Sequence, residues 1–190
     1  MSTSIPKEVK IEDVEVWFQD ETRVGQQGSI SRTWYSKGER PRLVKQQQFL
    51  SAYIYGAVCP AKDKSSAIFA SEVSSEIMQI HLDCISKEIE VHAVIIMDRA
   101  GWHCAKDLKV PKNITIVHLP PYSPELNGSE NAWQVMKSKF FKNRIFKTTT
   151  EIIDACIEAW NNFVETEGQI KKTCYRNWAD IRQFISSDWY

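Results

Sequence analysis

The sequence predicts a single α/β domain built on a mixed sheet of about five strands flanked by helices. Three observations carry that expectation. Segments rich in β-formers crowd residues 14–70, a helical period takes over at 74–89, and a wholly apolar run follows at 93–97. Further helical patterns close the chain after residue 127. Strands followed by interleaved helices describe a sheet covered on its faces. At 190 residues, 43% hydrophobic and 25% charged, the chain is long enough for one substantial core.

VEVWFQD at 14–20 alternates, with Val14, Val16 and Phe18 on one side, as a half-buried strand does. Asp20 shares their parity and is expected at the strand's end. TWYSKGERPRL reads as a strand, a Lys37-Gly38 turn and an exit through Pro41. FLSAYIYGAVCP at 49–60 and AIFA at 67–70 follow as strands. Met78, Leu82, Ile85 and Ile89 recur at three and four, which predicts an amphipathic helix over 74–89. Continuous apolarity from Ala93 to Met97 suits a central strand buried on both faces. NITIVHLPP at 113–121 is a further strand. A helix is expected from Asn127 to about Arg144, and another from Thr148, where Thr148 and Glu151 have capping-box spacing. A short helix around NWADIRQFI ends the chain.

No apolar run approaches the ~20 residues that span a bilayer, and the N-terminus lacks an apolar signal core. No membrane is expected, and the setting expected is the bacterial cytosol. Five scattered cysteines without a C-x-x-C pair read as reduced thiols rather than a disulfide framework or zinc site. Net charge is zero, 24 basic against 24 acidic residues, so no global basic excess marks a nucleic-acid binder. Basic residues do cluster locally: Arg32, Lys37, Arg40, Arg42 and Lys45 in one window, and Lys137, Lys139, Lys142, Arg144 and Lys147 in another. Taken alone, such runs read first as solvated faces.

The chemistry points to two acids. Asp98 ends the apolar run in IIMDRAGWH, where a bare carboxylate is costly unless something meets it. It either caps the next turn or ligates a hard cation, for which carboxylate oxygens suit Mg²⁺ or Mn²⁺. Glu130 lies in LPPYSPELNGSENAW; it either closes a capping box with Asn127 or faces the sheet along the stripe of Trp133, Met136 and Phe140.

FQDE at 18–21, TWYSKGERP at 33–41, MDRAGWH at 97–103 and LPPYSPELNGSENAW at 119–133 together resemble a known pattern. It is that of the catalytic domain of insertion-sequence transposases in the Tc–mariner superfamily, DDE endonucleases with a ribonuclease-H-like fold. The resemblance spans roughly residues 14–165 and implies one catalytic domain over 1–190. It implies a catalytic, metal-binding triad of Asp20, Asp98 and Glu130 holding two Mg²⁺ or Mn²⁺ ions, with 31 residues (99 to 129) between the last two acids. Two ions so held would activate a nucleophile and neutralise the leaving oxygen in DNA cleavage and strand transfer. His103 matches a family histidine and is a candidate contact to substrate, as are Lys137, Lys139 and Lys142 on the helix after Glu130. Arg99 and Gly128-Ser129 depart from the Asn and Pro-Ile often found at those places.

The implied partners are DNA, at transposon ends and target, a homodimeric copy, and an N-terminal helix-turn-helix half. That half is expected to be absent from this chain and encoded in an upstream reading frame. A rival expectation is a catalytically inactive remnant that binds DNA or dimerises as a regulator. A third keeps the fold and metals but acts on RNA–DNA hybrids or branched junctions.

Overall fold

In a computed structural model of the protein, which describes residues 5–27, 36–38, 46, 48–103 and 107–181, β1 (Val14–Gly25) is the middle strand of a five-stranded sheet. On one side it pairs antiparallel with β2 (Ser51–Cys59), which pairs antiparallel with β3 (Lys64–Ala70). On its other side it pairs parallel with β4 (His92–Met97), itself parallel to β5 (Ile114–His118). The order β3-β2-β1-β4-β5 is the mixed sheet of the ribonuclease-H-like fold.

Strand alternation sorts the core into two layers. Trp17, Tyr55, Ile95 and Met97 face α1 (Ser75–Glu88), which contributes Met78, Leu82 and Ile85. Phe18, Ile54, Val58 and Ile96 face the opposite layer, made by α2 (Ser129–Lys139), α3 (Thr149–Val164) and α4 (Gln169–Cys174). β4 is thus covered on both faces, as its unbroken apolarity predicts. Glu15 is buried among these layers, and Lys62 (2.9 Å), Lys64 (3.3 Å) and the Trp17 indole N–H (2.9 Å) meet its carboxylate.

Ser74 caps α1 by accepting from Ile77 N, and Thr148 caps α3 by accepting from Glu151 N at 3.2 Å. Glu151 turns back to Lys147 N (2.7 Å), so the expected box closes one residue early.

Several boundaries differ from the sequence expectation. The strand expected at 33–43 lies outside the described residues except for Ser36–Gly38, where Gly38, at φ 98°, makes the expected turn. Of the basic window at 32–45 only Lys37 is described. α2 stops at Lys139 rather than near Arg144: Phe140 caps it, and Asn143 adopts a left-handed φ of 58° that no helix continues through. The terminal helix comes earlier than expected, at Gln169–Cys174. Gly168 (φ 73°) opens it, and Asp63 accepts from Gly168 N at 2.7 Å. The NWADIRQFI segment gives only a 3₁₀ turn at Asn177–Ala179 within the described residues. Among those residues no helix is long and apolar enough to cross a membrane, and Cys59, Cys84, Cys156 and Cys174 are free thiols.

Candidate active site

Register brings two of the acids together. β1 and β4 run in parallel with Phe18 opposite Ile96, so two residues further along Asp20 comes level with Asp98 on the same face. Asp20 is not at the end of β1, which runs on to Gly25 against β2; it stands where pairing with β4 stops. β4 ends at Met97, and the diverging chains open a cavity of about 350 Å³. Asp20, Asp98 and Glu130 all line it, with Arg99, Tyr122 and Asn127.

Glu130 reaches the cavity because the start of α2 is stapled to β1. The Asn127 amide donates to the Gln19 carbonyl (3.0 Å), and the Ser129 hydroxyl donates to the Phe18 carbonyl (2.9 Å). Asn127 Oδ1 accepts from Ser129 N (3.1 Å), satisfying a first-turn donor. Asn127 thus stands one residue before the N-cap, Gly128, and its own backbone N–H goes to the Pro124 carbonyl rather than to Glu130. Gly128 is needed here: a Cβ would run into the Cys174 carbonyl oxygen and the Phe18 ring. The departure Gly128-Ser129 is thus what lets helix and strand approach.

A second contact fixes Asp20 itself. The Trp133 indole N–H, one turn beyond Glu130, donates to Asp20 Oδ2 at 2.9 Å. Trp133 has room because Gly56, the β2 residue opposite Asp20, has no side chain; a Cβ there would strike the rings of Trp133 and Trp160.

The charges are unevenly settled. Burial and the neighbouring carboxylate of Glu130 push Asp20 up to about 7, against the bonds from Trp133 and Glu21 N that favour its ionised form. Asp98 is exposed and held below the usual carboxylate range, chiefly by its hydrogen bond with His103. His103 Nδ1 lies 2.7 Å from Asp98 Oδ1, and Nε2 lies 2.9 Å from Glu21 Oε1. Ionised carboxylates only accept, so an imidazole joining two of them donates from both nitrogens and carries a charge. Burial opposes that charge, but the bonds and charges of Asp98 and Glu21 prevail and push His103 up to about 10.

His103 therefore sits behind Asp98 rather than in the cavity, with its side chain fully enclosed. Glu21, next to Asp20 on β1 and so on the opposite face of the sheet, has a structural place: its side chain is 8% exposed and also accepts from the Gln19 amide at 2.8 Å. The lysines are elsewhere. Lys137, two turns along α2 from Glu130, and Lys142, beyond the helix end, line a neighbouring cavity of about 410 Å³ with Arg23 and Phe141. Lys139 is exposed.

Three carboxylates are the donor type that Mg²⁺ and Mn²⁺ take, and the crowding that raises Asp20 is what a divalent cation relieves. In type, the residues fit such an ion. Among the described residues, however, no three His, Cys, Asp or Glu side chains form a closed ligand group. Among the described residues, the bonds that the Asp98 carboxylate accepts, from His103 and Ala100 N, both fall on Oδ1.

Sequence reasoning passed over Gly56, Asn127 as a strand anchor, and the Trp133 bond to Asp20. Only Asn127 carried a signal, its capping spacing; the others depend on neighbours distant in sequence.

Comparison with known proteins bears on this geometry. The model of the DDE superfamily endonuclease family matches residues 15–153. The uncharacterized protein y4pE/y4sA of Sinorhizobium fredii is 46% identical over 130 residues, 67% of this chain and 96% of that protein. An uncharacterized 39 kDa protein of insertion element IS630 from Shigella sonnei is 24% identical over 134 residues, 67% of this chain and 39% of that protein. Among solved structures, the Mos1 mariner paired-end complex with Mn superposes with a TM-score of 0.64 at 12% identity, covering 84% of this chain and 51% of that one. The catalytic domain of Mos1 mariner transposase gives 0.51 at 11%, covering 84% and 80%. These structures share the fold, and the chain spans about half the length of the chains in the Mos1 paired-end complexes.

Proposed function

The chain belongs to the DDE superfamily endonucleases, and from that premise we propose that it is a transposase catalytic domain that cuts and joins DNA. In this reading Asp20, Asp98 and Glu130 hold Mg²⁺ or Mn²⁺, two ions in all, between them. The observation that carries it is the parallel register of β1 and β4, which sets Asp20 beside Asp98, with the α2 staple delivering Glu130 to the same cavity.

Bound divalent ions would activate a water or 3′-hydroxyl and neutralise the leaving oxygen of an in-line displacement at phosphorus. The rest is the work of the chain. Asp98, exposed and kept ionised by His103, offers an anionic ligand at the cavity mouth. Asp20, fixed by Trp133, supplies the inner carboxylate, and Glu130 closes the third side from α2. Arg99, also on the cavity, can meet a phosphate oxygen. Lys137 and Lys142, with Arg23, continue the cationic path along the adjoining cavity for the DNA backbone.

Recognition of element ends is assigned to a helix-turn-helix segment outside residues 14–165. Reaction at two ends calls for two copies of the acid set, hence a homodimer on DNA. The catalytic domain is one unit over 1–190 with its core at about 14–165, and the residues after that core, through α4, brace α2: the Asn131 amide donates to the Thr173 carbonyl at 2.9 Å.

The test is cleavage of labelled duplexes carrying the element's ends in Mg²⁺ or Mn²⁺, with the end-recognition segment supplied. Wild type cuts, and Asp98→Asn binds equally but does not cut. Cutting unaffected by Asp98→Asn would overturn the assignment. Binding without cutting by wild type would favour a regulatory remnant.

A further inference from the structure

The loop between β5 and α2 is braced at both ends yet leaves its one aromatic side chain in water. Leu119 N extends the sheet by donating to the Met97 carbonyl at 2.8 Å, and the Leu119 side chain is buried. At the other end Asn127 N donates to the Pro124 carbonyl (2.9 Å), and the Arg176 guanidinium donates to the carbonyls of Glu125 (3.2 Å) and Asn127 (3.1 Å). Between these anchors Pro120, Pro121 and Pro124 fix three φ angles.

Tyr122 stands at the tip. Its exposure is 100%, the highest of the exposed large apolar side chains among the described residues, and its φ is 60°. A bulky L-residue in the left-handed region is strained, and glycine or asparagine would take the position at less cost. An exposed ring gains nothing from the folded chain to offset that strain. Yet Tyr122 lines the same cavity as Asp20, Asp98 and Glu130. Strain kept at the mouth of a candidate site, on a loop too braced to relax, is the mark of a residue held for a ligand.

We propose that the Tyr122 ring is a stacking platform for the DNA base next to the phosphate at the three acids; this rests on the DNA-cutting reading above. A fully exposed ring suits a planar π-system, and stacking accepts any base, so the residue positions substrate without reading sequence. Arg99 on the same cavity would hold the adjoining phosphate. The end anchors and the three prolines hold the backbone that carries the ring, so only side-chain rotation is left to be ordered when the base arrives.

The experiment uses the full chain and a short duplex with a single-stranded overhang, bearing 2-aminopurine at positions on either side of the junction. Ca²⁺ replaces Mg²⁺ to hold off cutting. Tyr122→Phe keeps the ring, Tyr122→Leu keeps bulk without it, and Tyr122→Gly removes ring and strain together. With wild type and Tyr122→Phe, at least one junction position is several-fold dimmer than with Tyr122→Leu, and the Leu and Gly variants bind about tenfold or more weakly. Without DNA, Tyr122→Gly melts above wild type, because the left-handed strain has gone. Equal quenching and affinity for wild type and Tyr122→Leu would overturn the stacking role while leaving the DNA-cutting reading intact. Tyr122→Gly melting below wild type would overturn the strain argument. Failure of wild type to bind or cut any DNA would sink both.

Discussion

Replacing Asp20 by Asn should stabilise the metal-free protein at alkaline pH. In the folded state this carboxylate is raised from 3.8 to about 7 by burial and by Glu130. Below 3.8 the group is protonated in both folded and unfolded chains and costs nothing. Between 3.8 and about 7 folding must increasingly bind a proton or bury a charge, so stability falls as pH rises; above about 7 the full cost applies. At ~1.36 kcal/mol per pH unit, that cost approaches about 4 kcal/mol at pH 8. Water at the cavity mouth screens part of it, leaving about 3 kcal/mol. Asn abolishes the charge but keeps only one acceptor oxygen for two donors, Trp133 Nε1–H and Glu21 N–H, a loss of about 1 kcal/mol. Urea unfolding in EDTA should therefore find Asp20→Asn more stable than wild type by about 2 kcal/mol at pH 8, and within about 1 kcal/mol of it at pH 5. A variant equally destabilised at both pH values would show that Asp20 is not held against its neighbours, and the reasoning would fail.

Other outcomes follow from the same contacts. Mg²⁺ or Mn²⁺ should raise the melting temperature of wild type by mass action, Asp98→Asn should lose most of that rise, and the exposed Glu12→Gln should keep it; equal rises in both variants would place the ions elsewhere. His103→Gln should cost about 2–3 kcal/mol near pH 6, since it leaves Glu21 buried without a cation. The His103 contribution is complete below 6.5 and is lost as pH rises through about 10, so the gap between wild type and variant should shrink across that window in urea titrations. Gly56→Ala should destabilise by about 1–3 kcal/mol through overpacking against Trp133 and Trp160, with a change in tryptophan fluorescence as the Asp20 bond breaks; an unchanged spectrum and midpoint would mean that β2 yields instead.

Much of this arrangement was legible from residue order. The parity of Val14, Val16, Phe18 and Asp20 sets which face Asp20 takes, because strand periodicity is local; the unbroken apolarity of Ala93–Met97 marks a strand covered on both faces but has no alternation to orient Asp98. The convergence of Asp20 and Asp98 was expected only through family resemblance, since register between strands 78 residues apart is a property of the assembled sheet. Glu130 had two readings with the same spacing. What separates them is the pair of bonds from Asn127 and Ser129 to β1, which no local pattern encodes. Its place in the motif makes His103 a candidate substrate contact, and the partners that hold its two ring nitrogens, Asp98 and Glu21, come together only in the assembled fold. The length of α2 was overestimated because Phe140 and Phe141 prolong its apolar stripe, while Asn143 turns the chain away.

The central claim is that Asp20, Asp98 and Glu130 share divalent metal. Crystals soaked in Mn²⁺ and measured at the manganese edge test it most directly. The account predicts anomalous density in the cavity between β1, β4 and α2, with oxygens of Asp98 and at least one other of the three acids at roughly 2.0–2.3 Å. Density confined to other sites, or none in wild type at saturating Mn²⁺, would contradict it.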